Sequence, residues 1–317
     1  MKTTESPLRT DPDMQKFTDS LSFTSPQGIS ESLEAVIRRS GRVDGQSPFS
    51  DQALVSARSG ARKILTASLP SGEPAALAIF GEGELELVVD PEQRRKGLGA
   101  LMLARALADA SAAAGATNAG SPSLAIWAHG DHPASRILLS RSGFGPVRTL
   151  LQLRMPLAAA TEEPAATAFT VRNFRLGIDE GDWLELNARV FASHPEQGRI
   201  TLDDIAAREA EPWFDAGDFL LAWDDDRLVG YNWLKIEADD SLDGALLGEI
   251  YVIGVDSADA GRGLGRTLML AGLNRLRERG CIVAALYVDA ENEGAVRLYR
   301  SLGFTDFTVD VQYSRNS

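Results

Sequence analysis

The chain has 317 residues, a formal net charge of −13 and a single cysteine. Its length favours about two domains, and its acidic balance argues against a nucleic-acid partner, because a phosphate backbone would meet a field of its own sign. One cysteine excludes an intramolecular disulfide and suits a reducing compartment. No apolar run reaches the ~18 residues of a membrane span, and the first residues lack an apolar secretion segment. We expect a cytoplasmic monomer with no membrane partner.

The N-terminal half begins with a polar segment and then alternates between helix and strand patterns. Residues 1–28 are rich in Ser, Thr, Asp and Pro, which predicts a disordered leader. Apolar periodicity and turn residues predict the elements that follow, up to residue 156. They are a helix at 31–39, strands at 63–69, at 75–80 and from Leu85, a helix ending near 114, a strand at 123–128, a helix from Pro133 to Ser142 and a strand at 147–155.

The C-terminal half repeats this order after a low-complexity segment at 157–168, which we interpret as a linker. Helices are predicted at 179–192 and at 202–210, the second with Thr201 as its cap. The remaining elements are strands at 218–223, 227–236 and 250–255, a glycine loop with a helix ending at Gly280, a strand at 281–288, a helix at 291–301 and a strand at 306–313.

Two glycine loops occupy corresponding places in the two halves. The first contains Gly97 and Gly99, and the second contains Gly263 and Gly265. A glycine loop that opens a helix presents backbone N–H groups at the positive end of the helix dipole, which suits a phosphate or pyrophosphate. Taken alone, the sequence GRGLG is equally consistent with an ordinary tight turn. Because the pattern occurs twice, and SGF in the first half recurs as LGF in the second, we interpret the chain as a duplicated unit.

These motifs resemble those of the GCN5-related N-acetyltransferase (GNAT) superfamily. That superfamily has the pattern [QR]xxGxG after an apolar strand, then a further strand, then N-x-x-A-x-x-x-Y-x-x-x-G-F. In the N-terminal half, Arg94 opens the matching loop. In the C-terminal half Ala260 departs from the expected Gln or Arg. The second part of the pattern is complete there, at Asn292, Ala295, Tyr299, Gly303 and Phe304.

The resemblance implies an α/β (α+β) protein of two tandem GNAT domains, each with a mixed, mainly antiparallel sheet flanked by helices. It places the N-terminal domain at 29–156 and the C-terminal domain at 169–317. It also implies acetyl-CoA as co-substrate and no metal. The implied N-terminal contacts are Leu87, Val88, Val89, Arg94, Arg95, Lys96, Gly97, Leu98, Gly99 and Ala100. The implied C-terminal contacts are Ile253, Gly254 and Val255 for the pantetheine arm, Ala260, Gly261, Arg262, Gly263, Leu264, Gly265 and Arg266 for the pyrophosphate, and Asn292, Glu293, Gly294, Ala295, Val296 and Arg297 on the other side.

Two differences between the halves indicate where the chemistry lies. Aligning the glycine loops without gaps puts Gly83 opposite Glu249, and aligning the GF pairs puts Leu139 opposite Tyr299. A carboxylate at Glu249 could act as general base toward a substrate ammonium, and the resemblance implies that Tyr299 protonates the leaving thiolate. On spacing alone, a solvent-facing glutamate and a half-buried tyrosine are the simpler interpretations. Because both differences fall in the same half, we expect the C-terminal domain to be catalytic and the N-terminal domain to bind acetyl-CoA without catalysis.

A narrower resemblance is to the mycothiol synthase branch of the superfamily. It depends on the tandem arrangement and on WAHG, SHPEQG, WFD, YNWLK, LGEIYVIGVD and LYV. That branch acetylates the cysteinyl amine of cysteinyl-glucosaminyl-inositol, so the resemblance implies a small-molecule amine substrate held between the domains. The implied substrate contacts are Asp51, where the family has Glu, and Glu196, Lys235, Glu249 and Tyr287.

Other functions and sites remain open at this stage. Within the fold, the alternatives are an acetyltransferase for an aminoglycoside or a protein N-terminus, and a non-catalytic acetyl-CoA sensor. His129 and His132 have HxxH spacing, but no third ligand is near in sequence, so we do not expect a metal site. Cys281 opens an apolar strand and is expected to be a buried core thiol rather than a nucleophile.

Overall fold

The computed structural model describes residues 12–114, 124–159, 169–192, 197–237, 241–242 and 245–315. Its helices are α1 (Pro12–Asp19), α2 (Glu31–Asp44), α3 (Asp51–Ser59), α4 (Leu98–Ala114), α5 (Pro133–Arg141), α6 (Glu180–Val190), α7 (Leu202–Glu209), α8 (Leu264–Glu278) and α9 (Glu293–Ser301). Its strands are β1 (Ser22–Thr24), β2 (Lys63–Ser68), β3 (Pro74–Gly81), β4 (Glu84–Val89), β5 (Ala125–Ala128), β6 (Gly145–Pro156), β7 (Thr170–Asn173), β8 (Phe219–Asp224), β9 (Arg227–Lys235), β10 (Ser241–Leu242), β11 (Ala245–Val255), β12 (Val283–Asp289) and β13 (Thr305–Ser314).

The chain divides into two compact units. The N-terminal unit comprises Met1–Leu150 together with Thr308–Ser317, and the C-terminal unit comprises Leu151–Phe307. The last strand of the chain therefore contributes most of its length to the N-terminal unit. None of the helices in the described part of the chain has the length and apolar character that a membrane span requires.

The sheet of the N-terminal unit has the strand order β1-β2-β3-β4-β5-β13. β4 and β5 are parallel, and the other registered pairs are antiparallel. Both faces of β3 are covered, because its alternate side chains enter different clusters: Phe80 packs with α4, and Ile79 packs with α2 and α3. This double burial explains why the strand is continuously apolar.

Part of the expected leader is ordered, so the prediction of disorder for 1–28 is wrong over 12–24. α1 forms there, and Ser22–Thr24 of β1 pairs with β2. Phe17, Leu21 and Phe23 pack against the core of the unit. Three apolar side chains in a polar run are enough to cover an edge of the core, which a composition argument does not detect. Residues 1–11 lie outside the described part of the chain.

The sheet of the C-terminal unit has the order β6-β12-β11-β9-β8-β7, with β10 paired to β11. β11 and β12 are parallel, and β9 pairs antiparallel to β11. An aromatic cluster packs α6 onto one face of this sheet, and its centre is the fully buried Trp183. The apolar side of α8 covers the other face through Leu264 and Leu268.

The expected linker begins as structured chain. Leu157 is buried in a short 3-10 turn, and its N–H donates to the carbonyl of Ile282 at 2.8 Å. The rest of the linker, 160–168, lies outside the described residues. The predicted fold class is confirmed: each unit has a mixed, mainly antiparallel sheet with flanking helices.

Candidate active site

The glycine loop of the C-terminal unit leads from β11 into α8. Asp256 ends the strand and caps a 3-10 turn by accepting from the N–H of Ala258 at 3.1 Å. Gly261 and Gly263 then take φ values of +80° and +81°, the left-handed region in which glycine carries no steric cost. Gly263 is the N-cap of α8, and no side chain caps it. The first N–H groups of this helix are therefore available to an anion.

The space beside this loop is open. A Cβ added at Gly261 or at Gly263 would meet no atom of the described residues within 4 Å. Gly265, two residues after Gly263, packs closely: its Cβ would lie 3.5 Å from Leu298 Cδ2 and 3.9 Å from Val255 Cγ2. Gly261 and Gly263 therefore leave room for a ligand. Gly265 lets α8 pack closely against α9 and β11.

Arginines near this loop are engaged with the protein. Arg262 Nη1 donates to Asp224 Oδ2 at 2.9 Å and also contacts Asp259, and these hydrogen bonds raise the pKa of the guanidinium. Arg266 donates to Ser301 Oγ at 2.9 Å. Backbone N–H groups at the start of α8 add to the positive potential that Arg266 gives the loop. Ala260, which replaces the expected Gln or Arg, is exposed.

The registered pairing between β11 and β12 ends before the glycine loop. Their registered parallel pairs run from Leu247 with Val283 to Ile250 with Leu286, whereas β11 continues to Val255. On its other edge β11 stays paired to β9 as far as Val255. Among the described residues, Ile253, Gly254 and Val255 therefore have no registered partner on the edge toward β12, the edge to which an extended ligand arm can add.

A β-bulge interrupts β11 next to Glu249. The register against β9 shifts between Ile250 and Val252, which leaves Tyr251 as the extra residue. β4 has no such shift against β3. Glu249 lies opposite Lys235 on β9 and opposite Ala285 on β12, and it is partly exposed.

The bulge overturns the gap-free comparison of the two halves. Glu84 lies opposite Ala125 on the parallel neighbour of β4, as Glu249 lies opposite Ala285. The counterpart of Glu249 is therefore Glu84, and the expectation that Gly83 occupies that position is wrong. Both units carry a carboxylate at this place. That of Glu84 accepts from Arg62 Nη2 at 2.8 Å and from Trp127 Nε1 at 2.9 Å, so both of its oxygens are hydrogen-bonded within the unit.

Tyr299 lies on α9 with only 6% of its surface exposed. Its ring contacts Phe304 edge to face, with centroids 6.1 Å apart. Burial raises the pKa of the Tyr299 phenol to about 12, so the hydroxyl stays protonated. Leu139 is its counterpart, since Phe144 N–H donates to the Leu139 carbonyl as Phe304 N–H donates to that of Tyr299.

The start of α9 closes the other side of the loop region. Asn292 caps the helix by accepting from the N–H of Ala295 at 3.2 Å. Glu293 and Arg297 form an exposed ion pair at 3.1 Å, one turn apart. Val296 is buried. The expected cofactor residues here therefore divide into an exposed polar rim and an apolar contact with the core.

The expected substrate contacts have different surroundings. Lys235 Nζ lies 2.9 Å from Glu237 Oε2 and 5.5 Å from the centre of the Trp213 ring. Tyr287 is 48% exposed, and its hydroxyl accepts from Gln152 Nε2 at 2.5 Å. Asp51 is an exposed residue at the start of α3 in the N-terminal unit. Glu196 lies outside the described residues.

In the N-terminal unit the glycine loop keeps the backbone conformation, and its Arg94 and Lys96 make hydrogen bonds within the unit. Gly97 has a φ of +79°, and Gly99 would place a Cβ 3.5 Å from Leu138 and 3.7 Å from Val89, as Gly265 does with Leu298 and Val255. Arg94 forms a bidentate pair with Asp44 at 2.7 and 2.6 Å. Lys96 donates to the Glu92 carbonyl at 3.0 Å. Arg94, expected at the pyrophosphate, joins α2 to the end of β4.

Two groups of residues were missed by the sequence reasoning. Trp213 contacts Tyr251, with centroids 5.2 Å apart, and so borders Lys235 and the bulge. His129, which has HxxH spacing with His132, lies between Glu86 and Asp310. In the described parts of the chain no group of three or more His, Cys, Asp or Glu side chains is arranged to hold a metal ion.

Known proteins resemble this chain over most of its length. The Acetyltransferase (GNAT) family matches residues 183–304. A mycothiol acetyltransferase of Thermomonospora curvata is 44% identical over 305 residues, covering 94% of this chain and 96% of the relative. One of Sanguibacter keddieii is 41% identical over 90% of this chain and 93% of its own length.

Solved structures with the same fold include tandem proteins. A GCN5-related N-acetyltransferase from Sphaerobacter thermophilus superposes with a TM-score of 0.71 at 22% identity, covering 93% of this chain and 95% of its own. A tandem GNAT protein from the clavulanic acid biosynthesis pathway gives a TM-score of 0.67 at 14% identity, covering 94% and 99%. These likenesses concern the fold, whereas the relatives at 40% identity and above establish descent. The chain belongs to the mycothiol acetyltransferase family of GNAT enzymes.

Proposed function

We propose that this acyltransferase acetylates the cysteinyl amine of cysteinyl-glucosaminyl-inositol from acetyl-CoA, with the chemistry in its C-terminal unit. The observation that carries the proposal is the position of Glu249. It lies partly exposed one residue before β11 and β12 part, on the strand that leads to the uncapped start of α8. A proton acceptor, an open strand edge and an anion-binding helix end thus occur on one continuous segment.

Acetyl-CoA suits this segment by its chemistry. It supplies the acetyl group as an activated thioester. The N–H groups at Ala260–Arg266 would hold the pyrophosphate, and the free edge at Ile253–Val255 would hold the pantetheine arm. Asn292–Arg297 would line the other side. The open space at Gly261 and Gly263 supports this assignment, because a side chain at either position would fill it.

Glu249 and Tyr299 are assigned the two proton transfers. An α-amine has an ordinary pKa of roughly 7.7 to 8.0, so Glu249 as general base would remove a loosely held proton, directly or through water. Tyr299 would donate a proton to the departing sulfur. The raised pKa keeps the phenol protonated for this role. It also makes Tyr299 a weaker acid, so the transfer depends on positioning.

The proposed substrate contacts are polar side chains, which suit a polar substrate. A polyhydroxylated molecule with an ammonium group needs polar side chains and an anionic site. Lys235, Glu249 and Tyr287 in the C-terminal unit, with Glu196 and Asp51 from the family pattern, would supply both. In the N-terminal unit, Leu87–Val89 and Arg95–Ala100 would form a second acetyl-CoA site that does not turn over. Its carboxylate Glu84 is paired with Arg62, and Leu139 replaces the tyrosine.

The test is a panel of amines given to the purified full chain with acetyl-CoA. The panel contains cysteinyl-glucosaminyl-inositol, glucosaminyl-inositol without the cysteine, an aminoglycoside and a peptide with a free N-terminus. CoA release is measured as kcat/KM for each. We expect the highest value for cysteinyl-glucosaminyl-inositol and a loss of activity when the cysteine is absent. A higher kcat/KM for any other member would contradict the proposed substrate.

A further inference from the structure

The first turns of α8 lie very close to β9 in the C-terminal unit. A Cβ added at Gly230 would lie 2.9 Å from Leu268 Cδ1 and 3.2 Å from Leu264 Cδ2. Gly230 is registered opposite Val255, the last residue of β11. Any side chain at this position of β9 would push the helix away from the strand, so the glycine permits a close contact between α8 and the sheet.

A buried amide crosses the same interface two residues further along β9. Asn232 is 0% exposed, and its Nδ2 donates to the carbonyl of Leu268 at 2.9 Å. In an α-helix that carbonyl also accepts from the N–H four residues on, that of Gly272, so the amide uses its second lone pair. A Cβ added at Gly272 would overlap Asn232 Nδ2. The hydrogen bond therefore requires a residue without a side chain at this position of α8.

The N-terminal unit forms the same fold without this pair. Counted back from the strand ends, the registers of β3 against β4 and of β9 against β11 place Ala78 at the position of Asn232. The spacing from the glycine loops places Ala106 at the position of Gly272. Both alanines are fully buried in the apolar cluster that α4 forms with its sheet. The fold therefore does not require an asparagine at this interface.

Stability does not account for the asparagine either. Burying an amide costs free energy unless its donor and its acceptor both find partners. Among the described residues, Asn232 Oδ1 has no hydrogen-bond partner. The apolar pair of the N-terminal unit avoids this cost. The property that remains to explain Asn232 is the directional contact that it makes with α8.

That contact joins the two parts of the proposed acetyl-CoA site. Asn232 is registered opposite Ile253, where the open edge of β11 begins, and its hydrogen bond holds α8 about one turn after the uncapped N–H groups. We propose that Asn232 is a positioning residue that fixes the anion-binding end of α8 relative to this edge, so that one acetyl-CoA molecule reaches both. Gly272 makes room for the amide. The inference rests on the proposed function, but only on the use of acetyl-CoA by the C-terminal unit.

The test replaces the pair by that of the N-terminal unit. The double variant Asn232→Ala, Gly272→Ala removes the hydrogen bond and adds the Cβ that Ala106 has in the other helix. Asn232→Ala alone covers the case in which the double variant fails to fold. Tyr231→Phe is the matched control. Tyr231 lies on the other face of β9, and its buried hydroxyl donates to Asn187 Oδ1 of α6 at 2.7 Å, so this variant removes a buried hydrogen bond that does not involve α8.

Each full-length chain is measured in three ways: melting temperature, kcat and the KM of acetyl-CoA at saturating amine, and calorimetric binding of acetyl-CoA without amine. The double variant should melt at or above the wild-type temperature. Its KM of acetyl-CoA should rise roughly tenfold, which a misplacement of less than about 1 Å can cause, and calorimetry should show one bound acetyl-CoA weakened by the same factor. Asn232→Ala should show the same rise and a lower melting temperature, because it leaves a cavity.

Tyr231→Phe should melt at a lower temperature with an unchanged KM of acetyl-CoA. An equal rise in this control would overturn the inference, because the loss of any buried hydrogen bond on β9 would then have the same effect. Unchanged KM and binding of acetyl-CoA in Asn232→Ala or in the double variant would also overturn it and leave Asn232 a purely structural residue. A wild-type chain that binds acetyl-CoA but does not acetylate cysteinyl-glucosaminyl-inositol would contradict the proposed substrate alone.

Discussion

At the scale of single residues, Glu249 and Glu84 occupy equivalent strand positions in different surroundings. We predict that Glu249→Gln lowers kcat/KM by roughly 10²-fold, the usual contribution of a general base. The amide keeps the shape of the side chain and cannot accept the substrate proton. The measurement is steady-state CoA release as a function of pH. Wild-type rates throughout the pH range would rule out the assignment.

Glu84→Gln is the matched control for that experiment. Glu84 accepts from Arg62, whose side chain is only 6% exposed and which also pairs with Glu82. Weakening the hydrogen bond from Arg62 to residue 84 should cost about 1–3 kcal/mol of unfolding free energy, as for other buried hydrogen bonds to charged groups, with little effect on acetyl transfer. A loss of activity equal to that of Glu249→Gln would mean that the two carboxylates are not functionally distinct.

Tyr299 gives a second prediction at this scale. Tyr299→Phe should lower kcat more than it raises KM, because the phenol acts on the departing sulfur and not on substrate binding. Since the pKa of the buried phenol is about 12, kcat of the wild-type chain should show no loss from Tyr299 ionisation below about pH 10. An alkaline fall in kcat that disappears in Tyr299→Phe would show an ionising phenol and contradict this environment. A change in KM alone would make the hydroxyl a binding group.

His129 predicts how stability depends on pH. Burial lowers its pKa, but the hydrogen bonds and charges of Asp310 and Glu86 outweigh burial and raise the pKa from 6.5 to about 10 in the fold. The folded state therefore binds a proton that the unfolded chain releases. The stabilisation is complete below about pH 6.5 and is lost as the pH rises toward 10. Denaturant unfolding of the wild-type chain should show this decline, and His129→Gln should reduce its slope. Equal slopes in the two proteins would contradict an ionised imidazole.

At the scale of elements, the start of α8 is expected to bind the pyrophosphate. Gly263→Ala should raise the KM of acetyl-CoA, because the new Cβ enters the open space and strains a backbone at φ +81°. Gly280→Ala is the control. Gly280 follows the other end of the same helix with φ +82° and open surroundings, so the same left-handed strain applies, about 1–2 kcal/mol. Both variants should have a lower melting temperature, and only Gly263→Ala should raise the KM of acetyl-CoA. Equal KM values of acetyl-CoA for the two variants would show that the loop is not part of the binding site.

Many of the helices, strands and loops could be predicted from the sequence. Glycines at 97, 99, 263 and 265, flanked by an apolar strand and an apolar helix, mark the loops without any tertiary information. The bulge at Tyr251 could not be predicted, because a gap-free comparison of two strands contains no signal for one extra residue. Because of that one extra residue, the counterpart of Glu249 in the N-terminal unit is Glu84 and not Gly83. α3 was also missed, since its short sequence lacks a clear apolar period.

Contacts between distant parts of the sequence account for the other differences. A charge cluster in the N-terminal unit joins Ser50, Glu86, His129 and Asp310, which no local pattern connects. The pairing of β13 with β5 likewise assigns Thr308–Ser317 to the N-terminal unit. Neither the charge cluster nor the pairing of β13 with β5 could be predicted from composition, because each depends on which strands become neighbours in the sheet. A fragment ending at residue 156 would lack Asp310, so experiments on the N-terminal unit require the full chain.

At the scale of the whole molecule, the account describes a duplicated fold in which one copy keeps both proton-transfer groups. The N-terminal unit keeps the loop conformation at Gly97 but has Leu139 in place of the tyrosine, and its Glu84 accepts from Arg62 and Trp127. We therefore expect two acetyl-CoA molecules bound per chain and turnover at one of them.

The most direct test measures acetyl transfer to cysteinyl-glucosaminyl-inositol and acetyl-CoA binding on the same preparations of the wild-type chain and of the double variant Glu249→Gln, Tyr299→Phe. The account predicts that calorimetry finds two acetyl-CoA molecules per chain in both proteins, and that only the wild-type chain transfers the acetyl group at an appreciable rate. Transfer by the double variant at the wild-type rate would contradict the claim that the C-terminal unit carries the chemistry.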